Sequence, residues 1–327
     1  MQRMTFRHLL GALTACTAWL HCASVAALLF SGGVAAQGLP LQPREVAAGV
    51  WMVQGASALG TPANRNFISN AAFVVTSEGV VVVDALGSPA LAAELLAAIA
   101  RITPQPVRQV VVTHFHADHI YGLQVFKDAG AVITAQRDGQ VYLQSDAAAL
   151  RLQASRTELA PWVDANTRLV PADRWISEPT RFTLGGVDFL LLPAGPAHTP
   201  EDLVVVLPQQ RVLLAGDLVF RGRLPFVGQA DSGRWIAALD RLIGFGAELI
   251  VPGHGPASSS AQADLQLTRD YLQHLRLTMG EAARNLDPFE EAYARADWSR
   301  FAQLPLFAAA NRINAYNTYL LMEQSSK

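Results

Sequence analysis

Cysteine is almost missing from this chain of 327 residues: Cys16 and Cys22 stand alone, and both fall in an apolar leader. Past the leader there can be no disulfide framework, and no thiolate to hold a metal or attack a substrate. Any metal must then be held by histidine and carboxylate. Lysine is equally rare, with Lys127 and Lys327 the whole complement, so arginine carries almost all of the positive charge. Charged residues are 16% of the chain and the formal net charge is −2, which gives no field to gather nucleic acid. Low-complexity tracts and short-period repeats are absent too, which excludes solenoid and array architectures. What remains is the composition of an ordinary globular protein, 51% hydrophobic and long enough for one large domain or two small ones.

Residues 1–36 read as a signal peptide. Arg3 and Arg7 precede an apolar stretch from Leu9 to Phe30, and small residues lead to a candidate cut after Ala36. The stretch is long enough to span a bilayer, so an uncleaved anchor is the alternative. Leu13-Thr14-Ala15-Cys16 is similar to a bacterial lipid-attachment box and supplies a second alternative. The expected location is periplasmic or secreted, with no membrane association once the leader is removed.

From Gln37 onward, short apolar runs alternate with helical spacing. Val50 to Gln54 predicts a strand, and Gly55 to Asn66, rich in Gly, Ala, Pro and Asn, predicts a loop. Ala71 to Thr76 and Val80 to Asp84 predict a hairpin, and Pro89 to Ile102 a helix with Leu91, Leu95, Leu96 and Ile99 on one face. Val107 to Thr113 predicts a buried strand, followed by a helix through Phe126 and a strand at Ala131 to Thr134. Arg137 to Leu159 reads as one helix. Two hairpins follow, Phe182 to Leu184 with Val187 to Leu192, then Leu203 to Leu207 with Arg211 to Ala215. Arg234 to Gly244 predicts a helix, Glu248 to Val251 a strand, and Ala261 to Asn285 a long helix. This places one domain at 37–285 and a helical extension at 286–327 packed on it, carrying Trp298, Phe301, Phe307 and Tyr316. Strand-and-helix units in two similar halves suggest an α/β fold of two sheets face to face, with helices outside both.

The chemistry concentrates in Thr113-His114-Phe115-His116-Ala117-Asp118-His119, which leaves the apolar run Val110-Val111-Val112. Loops leaving buried strands are where a rigid scaffold presents functional groups. Three imidazoles and a carboxylate so close together are hard to bury as packing, whereas a shared cation satisfies them all. Three further residues have the same setting, at or just past an apolar strand and beside glycine: His198, Asp217 and His254. His274 lies inside the long helix and reads as an ordinary packed residue. Ser77, Ser88 and Ser232 have turn-like surroundings, with no nucleophile elbow around them.

The string matches the His-x-His-x-Asp-His signature of the metallo-β-lactamase superfamily, which this chain resembles over roughly Val46 to Leu275. His198, Asp217 and His254 follow in that family's order, and Asp84 resembles its structural aspartate beside the site. The resemblance implies a four-layered αβ/βα sandwich with a two-metal centre at one edge of the sheets. It implies that His114, His116 and His198 hold one ion, that Asp118, His119 and His254 hold the other, and that Asp217 bridges them. Aspartate at 217 looks more like the glyoxalase II, lactonase and phosphodiesterase branches than the commonest β-lactamase subclass. A donor set of histidine and carboxylate suits two zinc ions, with iron or manganese as alternatives. The leader together with Pro196-Ala197-His198-Thr199-Pro200-Glu201-Asp202 is similar to periplasmic zinc metallohydrolases found beside quinoprotein and sulfur-oxidation systems.

The activity so implied is hydrolysis of an ester, thioester, lactone or lactam in a small-molecule substrate by a metal-activated water. Asp118 has the further catalytic role of orienting that water and taking its proton. Substrate choice is expected from the loop Gly55 to Asn66 and from Phe220 to Gly233, where Arg221 and Arg223 could bind an anionic group or could be solvated surface residues. Tyr121 either narrows the pocket or packs under its helix. Two rivals share these residues: a mononuclear iron persulfide dioxygenase of the same fold, and a periplasmic metal-binding protein without turnover.

Overall fold

The computed structural model describes residues 41–228 and 230–325. The leader, its expected cut after Ala36 and both cysteines lie outside the described residues. The strands β1 (Arg44–Ala47), β2 (Val50–Val53), β3 (Ala71–Val75) and β4 (Val80–Val83) are followed by helix α1 (Pro89–Ile102) and β5 (Val107–Val111). Then come α2 (Ala117–Ile120), α3 (Leu123–Asp128), β6 (Val132–Gln136), α4 (Gly139–Leu143), α5 (Asp146–Glu158) and β7 (Arg174–Ile176). The second half contains β8 (Thr180–Leu184), β9 (Val187–Pro193), β10 (Leu203–Leu207), β11 (Val212–Phe220), α6 (Ser232–Ile243) and β12 (Leu249–His254). The helices α7 (Ala261–Asn285), α8 (Phe289–Arg295) and α9 (Phe307–Ser325) close the chain.

Among the described residues the strands form two sheets, ordered β1-β2-β3-β4-β5-β6-β7 and β12-β11-β10-β9-β8. The unbroken valine run of β4 shows why they stack. Val80 and Val82 pack toward α1 and α3, while Val81 and Val83 enter the apolar layer between the sheets. A strand buried on both faces needs apolar residues at every position, because successive side chains point to opposite sides. In β11, Leu213 and Ala215 face the outer layer with α6 and α7, while Val212 and Leu214 face the other sheet. The result is the expected four-layered sandwich. Helix α1 begins where its sequence says it should: Pro89 occupies its first turn and Ser88 Oγ accepts the Leu91 amide at 3.3 Å. Such a cap contributes about 1 kcal/mol.

Topology brings the functional loops to one edge. β4 pairs with β5 in parallel, and β11 pairs with β12 in parallel. Both pairs therefore release their C-terminal ends on a common side of their own sheet, which is where Asp84, residues 113–119, Asp217 and His254 lie.

The secondary structure departs from expectation in several places, and the helix expected through Phe126 is two short ones, α2 and α3. Arg137 to Leu159 is two helices, because Ser145 Oγ caps a new start by accepting the Ala148 amide at 3.2 Å. β11 continues to Phe220 instead of stopping at Ala215, so Asp217 sits inside a strand. Gly216 makes this possible: at φ +52° it shifts the register against β12, and a Cβ there would meet the Thr113 side chain at 2.7 Å. The edge strands β1 and β7 have partly exposed residues and too little alternation to announce themselves. The C-terminal helices pack on the outer layer, with Phe289, Phe301 and Ala315 in the same apolar cluster as Leu265, Leu272 and Trp235. No helix among the described residues is long and apolar enough to cross a membrane.

Candidate metal centre

The loop after β5 turns through His116 into the short helix α2, so His114 and His116 leave an extended segment while Asp118 and His119 stand on the helix. His114 Nε2 and His198 Nε2 both approach His116 Nδ1, at 3.0 and 3.1 Å. A ring nitrogen has one proton or one lone pair, so hydrogen bonding can satisfy only one of these two contacts. A cation between the three nitrogens satisfies all of them. Asp217 Oδ2 lies 3.7 Å from His114 Nε2 and 3.5 Å from His198 Nε2, completing a group of four.

Asp118, His119 and His254 form a second group. Asp118 Oδ2 is 3.6 Å from His119 Nε2 and 3.4 Å from His254 Nε2. Asp217 stands between the groups: its Oδ1 is 3.2 Å from His119 Nε2, and its Oδ2 is 3.3 Å from His254 Nε2. In each group the potential ligand atoms lie within 4.8 Å of one another. Gly253 leaves room for this carboxylate, since a Cβ at that position would stand 2.0 Å from Asp217 Oδ1.

The ring orientations are fixed from behind. Asp84 Oδ2 accepts from His119 Nδ1 at 2.8 Å and from Thr113 Oγ1 at 2.7 Å, while Oδ1 accepts the Thr113 amide at 2.8 Å. With its proton given to Asp84, Thr113 Oγ1 accepts from His114 Nδ1 at 3.1 Å. One carboxylate thus sets the tautomer of two imidazoles and leaves both Nε2 lone pairs facing the cluster, as metal-binding histidines require. His254 Nδ1 donates to the Ile68 carbonyl at 2.7 Å, with the same consequence for its Nε2. Asn70 ties this end together, giving its Nδ2 protons to the Pro252 and Gly255 carbonyls at 2.8 and 2.7 Å.

Burial and charge agree with the geometry. Burial, then the neighbouring His116, pushes His198 down to about 3, and burial likewise lowers His114 and His116. These rings are neutral, with lone pairs to give. Burial also opposes charge on His119, but Asp217, Asp118 and Asp84 outweigh it and raise that ring. Burial disfavours the Asp217 carboxylate, yet His254, His119 and His114 hold it well below the usual carboxylate range. Within the cluster, His119 Nε2 and Asp217 Oδ1 are buried without hydrogen-bond partners. Orphaned donor atoms at a point of negative potential fit divalent cations, and the nitrogen and oxygen set suits zinc.

A cavity of about 460 Å³ opens over the cluster, bordered by His116, Asp118, His198, Asp217 and His254. Its outer walls include Leu59 from the predicted loop and Arg223 and Phe226 from the segment after β11. A second cavity of about 600 Å³ shares His116, His198, Tyr142 and Phe226 with it and is lined largely by apolar residues such as Phe115, Val141 and Pro200. The two arginines separate clearly. Arg221 is engaged by Asp264, Nε to Oδ1 at 3.0 Å, whereas Arg223 borders the cavity at 6% exposure. Tyr121 packs under the helix and meets Ser155 Oγ at 3.1 Å, so it does not narrow the pocket. His274 lies apart from the cluster, with its ring against Trp298 and Phe301. Asn70 and Thr113 were not singled out in the sequence, where an asparagine or threonine beside a strand carries no distinguishing pattern.

The sequence profile described as the metallo-beta-lactamase superfamily matches residues 64–254. The chain belongs to the metallo-beta-lactamase superfamily. A linear primary-alkylsulfatase of Pseudomonas sp. is 27% identical over 237 residues, covering 61% of this chain and 44% of that protein. A type 2 metallo-beta-lactamase of Bacillus cereus is 27% identical over 192 residues, covering 57% of this chain and 67% of the other. The chain thus spans under half of the alkylsulfatase, and 49% of a 2,4-dinitroanisole O-demethylase alpha subunit of Nocardioides sp.. Among solved structures, a metallo-beta-lactamase from Pontibacter korlensis superposes with TM-score 0.57 at 27% identity, over 71% of this chain and 99% of that one. A sec-alkylsulfatase from Pseudomonas sp. reaches TM-score 0.65 at 18% identity, over 86% of this chain and 50% of that one, which supports the fold alone.

Proposed function

We propose that this protein is an exported, zinc-loaded metallohydrolase that cleaves an ester, thioester, lactone or lactam bond in a small substrate. The observation that carries the reading is the convergence of seven donor side chains into two adjacent groups, with Asp217 between them. His114, His116 and His198 would hold one zinc ion, Asp118, His119 and His254 the other, and Asp217 would serve both. When bound, such a pair of cations lowers the pKa of water and polarises the bond to be cut.

The chain's own residues do the rest. Asp84 keeps His114 and His119 in the tautomer that presents Nε2, through Thr113 in one case and directly in the other. Asp118 has its Oδ2 among the donors but its side chain is 16% exposed, which leaves Oδ1 to take a proton from the attacking water. Leu59 and Phe226 are exposed apolar residues at the cavity wall, placed to cover the apolar part of a bound substrate. Export rests on the leader alone, and fractionation of cells expressing the full chain tests it.

The hydrolase reading is tested by elemental analysis of the purified protein, with ester and lactam hydrolysis measured before and after chelation. About two zinc per chain and chelator-sensitive hydrolysis are the expected result. One iron per chain with oxygen consumption on a persulfide overturns it in favour of a dioxygenase, and bound zinc with no turnover on any probe overturns it in favour of a binding protein.

A further inference from the structure

The cavity of about 600 Å³ adjoins the metal-facing one along His116 and His198, the only members of the donor set among its lining residues. Phe115, buried between two donor histidines in the sequence, forms part of its wall. Gly139 lets helix α4 come up against that ring, since a Cβ at 139 would stand 2.4 Å from Phe115 Cε2. The helix then brings Val141 and Tyr142 to the cavity. Val141 is 75% exposed, and Phe226, from the segment after β11, is 44% exposed. Single exposed apolar side chains are ordinary, but two from separate elements at one cavity leave apolar surface for a ligand to cover. Charge points the same way. Asp138 and Glu201 line this cavity, and among the described residues no arginine or lysine does; Arg151 and Arg223 border only the first. Glu201 is buried, its Oε1 accepts the Phe115 amide at 3.2 Å, and burial pushes its carboxyl up. With or without its proton it offers no positive potential. An anionic group placed here would lose its water and meet no counter-charge.

The segment that carries Phe226 is held by the C-terminal helix. The Leu224 amide donates to the Pro305 carbonyl at 2.9 Å. Asn314, fully buried on α9, donates from Nδ2 to the Pro225 carbonyl at 2.7 Å and accepts the Val227 amide on Oδ1 at 2.9 Å. Asn317, one turn on, donates to the Gly228 carbonyl at 2.7 Å. The Asn314 amide has no second orientation, because Pro225 offers only an acceptor there and Val227 only a donor. A relay fixes it further: Asn314 Nδ2 donates to Tyr271 Oη at 3.0 Å, and Tyr271 donates to Asn311 Oδ1 at 2.9 Å. These contacts come from α9 and the turn before it, outside the family-matched residues 64–254.

We propose that this second cavity is an apolar specificity subsite, taking a neutral alkyl or aryl group attached to the bond that is cut, and that the asparagines of α9 preorganise it by gripping the backbone of the loop that bears Phe226. The proposal rests on the hydrolase reading for the bond that is cut, but not for the group that is recognised. A bound apolar group covers Val141 and Phe226 and is driven in by the water it releases. The volume is that of a pocket for a small organic ligand, so a ring or a chain of several carbons fits. Asp138 and Glu201 turn away a group that ends in a carboxylate. Asn314 and Asn317 are positioning residues. They touch no substrate, and they act by keeping residues 224–228 in the one shape that leaves Phe226 at the cavity wall. Ordering the loop beforehand removes an entropic cost that a flexible loop would meet on every binding event.

The test uses the metal-loaded protein and two ester series, one lengthened on the acyl side over a constant alcohol, the other on the alcohol side over acetate. In one series kcat/KM should rise about tenfold or more from a two-carbon to a six-carbon group, and a terminal carboxylate on the longer group should cancel the rise. Val141→Asp should lower the ratio of long to short about fivefold or more, while Val141→Leu keeps it. Asn317→Ala and Asn314→Leu should lower the ratio too, and should speed hydrogen exchange at the Leu224 and Val227 amides while β11 keeps its protection. If Asn314→Leu fails to fold, Asn317→Ala carries the same readouts from the half-buried end of the row. N-methylhexanamide, a neutral probe with no ester, should shift the amide resonances of Val141, Tyr142 and Val227. A rise in neither series, or an unchanged ratio in Val141→Asp, overturns the subsite. A carboxylate-ended chain that does as well as the apolar one overturns the exclusion of anions. Unchanged exchange in the asparagine variants overturns the preorganisation. Absence of hydrolysis on every ester would count against the hydrolase reading, while the resonance shifts would still decide the subsite.

Discussion

Residues 113–119 and residues 221–228 border the same cavity, but they are braced in different ways. The first segment leaves the middle of a sheet and is tied to Asp84, itself at the end of the adjacent parallel strand. Its support is internal to the fold and includes charge-assisted hydrogen bonds from the Thr113 amide and hydroxyl and from His119 to the Asp84 carboxylate. The second segment leaves the other sheet and turns outward, where α9 holds its carbonyls and amides through neutral asparagines. Charge-assisted bonds are stronger and set single atoms, while neutral backbone bonds set the course of a loop. The contrast suits a division of labour, with chemistry fixed by the core and selection tuned by an appendage.

The comparison can be broken from the inner side first. Asp118→Asn should lower kcat by roughly 10²–10⁴-fold even when excess zinc restores full metal content, as steady-state kinetics beside elemental analysis would reveal. A rate that recovers in step with zinc content would instead make Asp118 a ligand only. Asp84→Asn comes next: it should weaken metal affinity by roughly 10–100-fold, read by competition with a chromogenic chelator. A loss confined to thermal stability, with affinity intact, would deny Asp84 its hold on the two rings. On the outer side, Tyr271→Phe deletes one buried hydroxyl from the asparagine relay and should cost about 1 kcal/mol in denaturant unfolding. That variant should leave metal affinity as it was, because the relay reaches the loop and not the donors.

The smallest effect concerns His274, whose ring burial lowers below its usual 6.5. The unfolded chain therefore takes up this proton at a higher pH than the folded one. Its contribution to stability is lost as pH falls below about 6.5, the ordinary histidine value. Melting temperature measured at pH 7.5 and 5.5 should drop less in His274→Leu than in wild type, and an equal drop would exclude this residue as a source of acid sensitivity.

Much of the donor set was legible in the sequence, for a physical reason. Histidines that converge on one point are readily presented at or just past the ends of rigid strands, so His114 to His119, His198 and His254 stand out against apolar runs such as Val110-Val111-Val112 and Leu249-Ile250-Val251. Buried strands were equally plain, since Val80 to Val83 must be apolar on both faces. The bracing was not legible. Thr113, Asn70 and Asn314 are single polar residues whose importance lies in a partner, and for Asn314 those partners on the loop are 87 and 89 positions away. Arg221 and Arg223 looked alike until Asp264 engaged the first, while no carboxylate engaged the second. The break at Ser145 was hidden because the residues on both sides of it suit a helix.

Every contact from α9 and its preceding turn to the loop named above ends on a main-chain atom: the Leu224 and Val227 amides, the Pro225 and Gly228 carbonyls. Such a grip is indifferent to the side chains at 223 and 226, whereas Leu224 and Val227 are buried in the apolar cluster that α9 joins. Gly222, at φ +68°, and Gly228, at φ +53°, are positions where backbone shape itself restricts the choice of residue. Positions 223 and 226 are otherwise open to exchange while the course of the chain stays as it is. A lineage that keeps this helix can therefore exchange those two side chains by point mutation without recasting the loop, and variation there, set against constancy at Asn314, is the mark such drift would leave.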